Sequence, residues 1–432
     1  MSKALEHATA AAQEGNWSLL NQCLQQLPLG TNSLDANAES APLNDTDLEQ
    51  VLNLALDVLS AGDFQERWEV AKVFPKLGLI AIAPLIEILQ DEDADLELRW
   101  FTGRILGEFN HPTVITTLVE LLKTSEDEDL VAMAATALSS VGESAVDALA
   151  SLLADPESRL LATKSLSQIR RPETIAPLLG VVGDSQVAVR STAIEALSNF
   201  HDPRIQPILL DALDDRAAVV RKQAVIGLGL RWELQEQLNL LNRLKPLLYD
   251  FNIEVCQQVA IALGRLKTDE AAHALFDVLK SPATPHPLTF DIIRALGWME
   301  TVKSLDYLQQ ALAGVSVECA IEIIRVLGRS EEPVLKTKAA QILIDFLNSE
   351  HPAATAIPVK QALAEAWGQL GEDGAIDVLL ELLGDSEDSV RLHAIAALKN
   401  FSTARQQLEQ LATVENLTPE LKQGIAIALA QW

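Results

Sequence analysis

Arginine followed by tryptophan occurs at Arg67-Trp68 (RWEVAKVFPKLG) and again 32 residues later at Arg99-Trp100 (RWFTGRILGEF), with Arg104 one turn further on and Asp93 just upstream. A guanidinium presents a planar fork to a carboxylate, and an indole face stacks on conjugated or cationic groups. Arg67, Trp68, Asp93, Arg99, Trp100 and Arg104 are therefore the candidate ligand- or partner-binding residues. The same residues also suit packing, with tryptophans filling wide gaps between helices and arginines joining a ladder of ion pairs.

Other chemistry is sparse. The histidines are His7, His111, His201, His273, His286, His351 and His393. Three precede Pro or Asp-Pro, and His286 sits in the proline-rich SPATPHPL, so most read as turn residues. No zinc-protease, nucleophile-elbow, Walker or dinucleotide motif is present, and no catalytic residue is assigned. Cys23, Cys256 and Cys319 are far apart in sequence and odd in number, which points to neither a disulfide framework nor a Cys-x-x-Cys site. Cys256 and Cys319, early in two helical patterns, are candidate thiolates for a shared iron–sulfur centre. Four ligands are usual for such a centre, and packing is the alternative reading.

The positioning elements are repeats. GDSQVAVRSTAIEAL (183–197) and GDSEDSVRLHAIAAL (384–398) agree at nine of fifteen positions. Marking the last apolar residue of each copy gives Phe74, Leu106, Leu138, Leu166, Leu197, Leu228, Leu263, Leu296, Leu327, Trp367, Leu398 and Leu429, about 32 residues apart. A period of that size means stacked helical units. Each unit holds a first helix such as IQPILLDAL, often with proline in its first turn, and a second of the pattern ValArgxxAlaxxAlaLeu. Alanine on the second helix permits close approach to the next unit. Asp184 and Arg190, Asp215 and Arg221, and Asp385 and Arg391 keep a six-residue spacing. They read as a structural ladder in which Asp caps the second helix and Arg reaches an Asp of an adjacent unit.

Residues 1–28 are expected to form an N-terminal helical cap, 29–46 a flexible linker, and 47–432 the array. The 40-residue step from Leu327 to Trp367 implies an inserted loop and a lengthened helix. With 61 Asp and Glu against 33 Lys and Arg, the net charge is −28. Such a surface repels phosphate backbones, so nucleic acid is not an expected partner. The longest apolar run, 77–89, is short for a bilayer and contains Pro84 and Glu87. No secretory signal is recognised, and a cytoplasmic location without membrane partners is the expectation.

The segments PLLGVVGDSQVAVRSTAIEAL, PILLDALDDRAAVVRKQAVIGLG and VLLELLGDSEDSVRLHAIAAL resemble HEAT repeats. More narrowly, they look like the short repeats of phycobilisome-lyase-like proteins, the E/F-type phycobilin lyases. The Arg-Trp text at 67–68 and 99–100 is similar to the arginine-aromatic opening of those lyases. In size and repeat content the chain also resembles the cyanobacterial IscA-interacting type of HEAT-repeat protein. Residues 47–432 carry the resemblance. It implies an all-α, right-handed α-α superhelix of about twelve two-helix units, working as a protein-binding scaffold. The activity implied is that of a bilin lyase component or chaperone, or alternatively of a non-catalytic accessory to iron–sulfur assembly. No intrinsic cofactor is implied. A transferred phycobilin would place propionates on the arginines, pyrrole nitrogens on Asp93 and its conjugated face on the tryptophans, while the acceptor protein supplies the cysteine. The implied partners, on the concave face, are a phycobiliprotein subunit, a second HEAT-repeat lyase subunit or an iron–sulfur scaffold protein. HEAT-like deoxyhypusine hydroxylases bind two irons through His-Glu pairs, and this chain has no His-Glu dipeptide.

Overall fold

A computed structural model describes residues 3–29 and 43–432, and it is helical throughout, with no strand among the described residues. The chain falls into two compact units, residues 1–205 and 206–432. That division cuts through the repeats. The expected linker lies for the most part (30–42) outside the described residues; at its far end Asn44 already caps the helix Asp45–Ala61, its side chain accepting from Asp47 N at 2.9 Å.

In the first unit, the helices Lys3–Gln13 and Trp17–Gln26 pack on Asp45–Ala61, and the second of them also on Phe64–Ala71. Asn21 Nδ2 donates to Glu66 O at 3.0 Å, and Gln50 Nε2 donates to Thr9 Oγ1 at 2.9 Å. From there second helices follow one another in contact: Phe64–Ala71, Leu96–Leu106, Glu128–Val141, Arg159–Ile169 and Val187–Ser198. In the second unit the corresponding row is Ala218–Gly229, Ile253–Leu266, His286–Met299, Val317–Leu327, Ile357–Leu370 and Asp388–Leu398. The apolar phase marks form the core. Those from Phe74 to Leu398 are at most 1% exposed, and only Leu429, on the final helix Pro419–Ala430, is half-buried.

Starts and stops follow local chemistry. Asp63, Asp95, Asp127, Asn252, Ser316 and Thr418 each sit eleven residues before a phase mark and cap a second helix through their side chains. His111 and His351, each followed by proline, accept a backbone N–H on Nδ1 at the starts of Pro112–Thr124 and Pro352–Thr355. His286 differs from expectation: the proline-rich turn ends at Pro285, and His286 opens a helix, with Nε2 3.3 Å from Glu318. The 40-residue step is spent on the 15-residue helix Pro333–Leu347 and a 3-10 turn.

Two devices hold unit to unit. The first is steric: a glycine after the phase mark meets a small residue just before the next mark. A Cβ on Gly107 would lie 2.8 Å from Ala137 Cα, and one on Gly328 would lie 2.8 Å from Ala366 Cβ. Glycine lets the helix backbones touch where any side chain would hold them apart.

The second device is ionic. Seven residues before most phase marks stands a cation, which in several repeats donates to carbonyls at the end of the preceding helix and reaches a carboxylate of the next repeat. Arg67 bonds Leu59 O (3.0 Å), Ser60 O (3.2 Å) and Asp95 (3.2 Å). Arg159 bonds Leu153 O (2.6 Å) and Asp184 (2.7 Å). Arg221 bonds Asp215 O (2.8 Å) and holds Asp250 with two 2.7 Å bonds. Lys360 meets Asp385 at 2.6 Å. Within one turn, Arg190 donates to Asp184 O and Arg391 to Asp385 O, both at 2.7 Å, so the six-residue pairs meet through the backbone. The Asp side chains accept instead from the residue two on: Gln186 N (2.7 Å), Ala217 N (2.7 Å) and Glu387 N (3.0 Å).

Two measurements test these devices. Gly107→Val is expected to cost about 1–3 kcal/mol in denaturant unfolding, with part of the loss restored by adding Ala137→Gly; an unaffected Gly107→Val protein would remove the steric argument. For the ladder, Arg221 holds the Asp250 carboxyl below the ordinary carboxylate range. That stability is therefore present above the unfolded pKa and is lost as pH falls through the lower folded value. Asp250→Asn should cost about 1.5–3 kcal/mol at neutral pH and flatten the acid limb of the stability curve. Parallel acid limbs for the two proteins would show the pair to be inconsequential.

Candidate functional site

The six candidate binding residues lie in the first unit and divide into two groups. Arg67, with only 9% of its surface exposed, is committed to the ladder described above, and it also meets Glu97 at 3.2 Å. Arg99 occupies the equivalent position one unit on and donates Nε to Leu89 O at 3.0 Å. Asp93 is exposed in the turn before Leu96–Leu106, its own N–H donating to Asp91 Oδ1 at 3.0 Å. The carboxylate that Arg67 meets is Asp95, because this turn carries an extra capping aspartate two residues nearer the helix. The structure thus brings Asp95, not the candidate Asp93, to Arg67.

Trp68 and Arg104 do come together. The Arg104 guanidinium carbon lies 3.9 Å above the Trp68 ring, a stacked cation–π contact. With Ala71, Lys72, Pro75, Ile105 and Glu108 they line a cleft of about 220 Å³. Lys72 is tied to Glu69 at 2.8 Å. Phe64 stacks on Trp68 at 6.3 Å and meets Phe101 edge-on at 5.2 Å, while Trp100 meets Phe101 at 5.3 Å. Phe64 and Phe101 were not read from the sequence as site residues. The signal for Phe64 was present, since it begins its second helix at the position held by Leu96 one unit on. Phe101 is fully buried and joins the cluster to the core.

The candidate cysteines are not brought together with further metal-ligating side chains among the described residues. Cys256 and Cys319 are free and buried, on the helices Ile253–Leu266 and Val317–Leu327, with His286–Met299 packed between them. Cys256 stands at the ladder position, and its Sγ lies 3.2 Å from Asp250 O, the carbonyl that an arginine would take. Burial pushes its thiol pKa up, which disfavours the thiolate a metal needs. No group of three or more metal-ligating side chains occurs among the described residues. His273 is engaged with Tyr307 (3.1 Å) and Asp277 (3.6 Å), and His393 with Ser389 O (2.7 Å).

The second helices also present side chains to solvent. They offer charged and aromatic side chains on a rigid frame, and that arrangement recognises another surface.

Comparison with known proteins agrees with the packing. The family model for HEAT repeats matches residues 82–162, 146–229, 308–399 and 352–430, more than half of the chain. A search of curated protein sequences gives no match. Among solved structures, Kap121p bound to Nup53p aligns with 99% of this chain at 12% identity and a TM-score of 0.56. Importin beta, crystallised in ammonium sulfate, aligns with 98% at 13% identity and a TM-score of 0.52. The alignment covers 56% of the first and 63% of the second, so this chain spans less than two thirds of either. Human deoxyhypusine hydroxylase in complex with glycerol is 22% identical over 59% of this chain and 95% of its own, but a TM-score of 0.27 carries no argument. At these identities the solenoids speak for the fold alone. The chain belongs to the HEAT-repeat family, as an all-α solenoid of stacked helix pairs.

Proposed function

We propose that this protein is a binding scaffold whose second-helix surface docks a protein partner. The observation that carries the reading is the cleft at Trp68 and Arg104. There a guanidinium stacked on an indole is open to solvent, in a space that holds one or two side chains. Sites that bury a cofactor or drug-sized ligand usually need about 300–1,000 Å³, and the cleft falls below that range. A carboxylate or an aromatic side chain from a partner fits it. Capture from the source cell with the wild-type chain is expected to retain specific proteins that Trp68→Ala/Arg104→Ala loses, without change in thermal midpoint. Identical capture by both proteins would refute the role of this cleft.

For the partner, the resemblance favours a phycobiliprotein subunit, with the chain acting as a lyase component, alone or beside a second HEAT-repeat lyase subunit, or as a chaperone. Trp68 and Arg104 support that reading in part, since a bilin has a conjugated face and two propionates. Arg67 does not, because its donors are spent within the chain, and Arg99 gives its Nε to Leu89 O. If the protein is enzymatic, the reaction is attachment of a bilin to a partner's cysteine. Mixed with free phycocyanobilin, the protein should then give a red-shifted, intensified visible band that Trp68→Ala/Arg104→Ala abolishes; an unchanged spectrum excludes bilin handling. The alternative, an accessory to iron–sulfur assembly, would act through its surface, since Cys256 and Cys319 are buried.

A further inference from the structure

Carboxylates outnumber Lys and Arg by 61 to 33, so an arginine on this surface has acids of its own chain to pair with. Five exposed arginines of the second unit do not use them: Arg216, Arg243, Arg265, Arg325 and Arg329 make no ion pair or side-chain hydrogen bond with another described residue. Arg265, Arg325 and Arg329 fall on or just past nearby second helices.

Their placement is regular. Arg265, Trp298 and Arg329 each lie two residues after a phase mark (Leu263, Leu296 and Leu327), hence at one level on three successive second helices or just past their ends. Those helices pack directly on one another, close enough that a Cβ on Gly264 would lie 3.1 Å from Ala295 Cβ. Trp298 stands in the middle with 53% of its surface exposed. Arg325 is one turn before Arg329, and both line a narrow cleft with Glu365 and Gln369 of the next helix. Of the nearby acids, Glu322 takes Arg294 at 2.6 Å, Asp291 takes Gln257 at 2.6 Å, and Glu365 accepts from Gln369 at 3.4 Å, while the exposed Glu331 and Glu332 form no ion pair with these arginines.

We propose that this row docks an acidic, extended segment of a protein partner, with carboxylates on Arg265 and on Arg325 and Arg329, and an apolar side chain on Trp298. The inference rests on the scaffold reading and names the partner's chemistry. Neighbouring helix axes stand about 8–10 Å apart, which separates the outer arginines by about 16–20 Å. An extended chain rises about 3.3 Å per residue. The fitting segment therefore carries two acidic groups about five or six residues apart, with an apolar residue near the middle. A nucleic acid fits less well, because a chain of net charge −28 repels a polyanion and three guanidinium groups neutralise few phosphates.

The test is selection of a phage-displayed random dodecapeptide library on the whole protein, with enriched peptides remade as fluorescein conjugates. The expected winners are net acidic with a central apolar residue, and they bind more weakly as salt is raised. Arg265→Glu/Arg329→Glu should lower their affinity at least tenfold, and Trp298→Ala several-fold, with thermal midpoints unchanged because all three side chains are exposed. Failure to enrich acidic peptides, equal binding to the charge-reversed variant, or displacement by single-stranded oligothymidine at equal concentration would each overturn the assignment. Enriched peptides of another composition, held equally by both proteins, would overturn it while leaving the scaffold reading intact. A wild-type protein that enriches no peptide and captures no partner would end both.

Discussion

Contact between consecutive second helices is the constraint on which everything else depends. A helix pair cannot bury its apolar face alone, so each unit needs its neighbour to complete a core. At Gly107 against Ala137, and at Gly328 against Ala366, the approach is so close that a methyl group would displace backbone or Cβ atoms. Once the helices lie that near, residues one repeat apart become neighbours at fixed height. A ladder that links Arg221 to Asp250 across 29 residues of sequence follows from that spacing, and so does the alignment of exposed side chains into rows.

The ladder explains why Arg67, the first residue of the most conspicuous motif, is held within the chain. An arginine fork satisfies carbonyls at a helix end that would otherwise be buried without donors, and it spends its remaining N–H groups on the next unit. Cys256 shows the position's first demand: a thiol meets Asp250 O but cannot reach onward. Arginines displaced from that position, such as Arg104 and Arg265, carry no such duty.

The sequence made the repeat legible because period, phase and small-residue spacing are local in the chain and reinforced at each copy. Phe74 to Leu398 could be marked in advance as core for that reason, and stacked helix pairs followed. The candidate site was only partly legible. Asp93 looked equivalent to Asp184 by spacing, yet the additional cap Asp95 intercepts Arg67, and a two-residue offset in a turn is invisible to a six-residue rule. Arg67 and Arg104 look alike on the page and differ wholly in burial and bonding, since that difference depends on which side of a helix faces the neighbour. The Arg265–Trp298–Arg329 row was missed because its members are separated by whole repeats and share a phase that mixes charge and aromatic character.

The ladder is also interrupted. At the positions of Val131, Cys256, Thr289 and Ala320 no cation stands, and around the last three the repeats are bridged by surface pairs such as Lys267 with Glu300 at 3.0 Å and Arg294 with Glu322 at 2.6 Å. Half-buried rungs resist counter-ions, whereas exposed pairs are weakened by them within a Debye length of about 8 Å at physiological ionic strength. The stretch that presents the free arginines therefore relies on pairs that dissolved ions weaken.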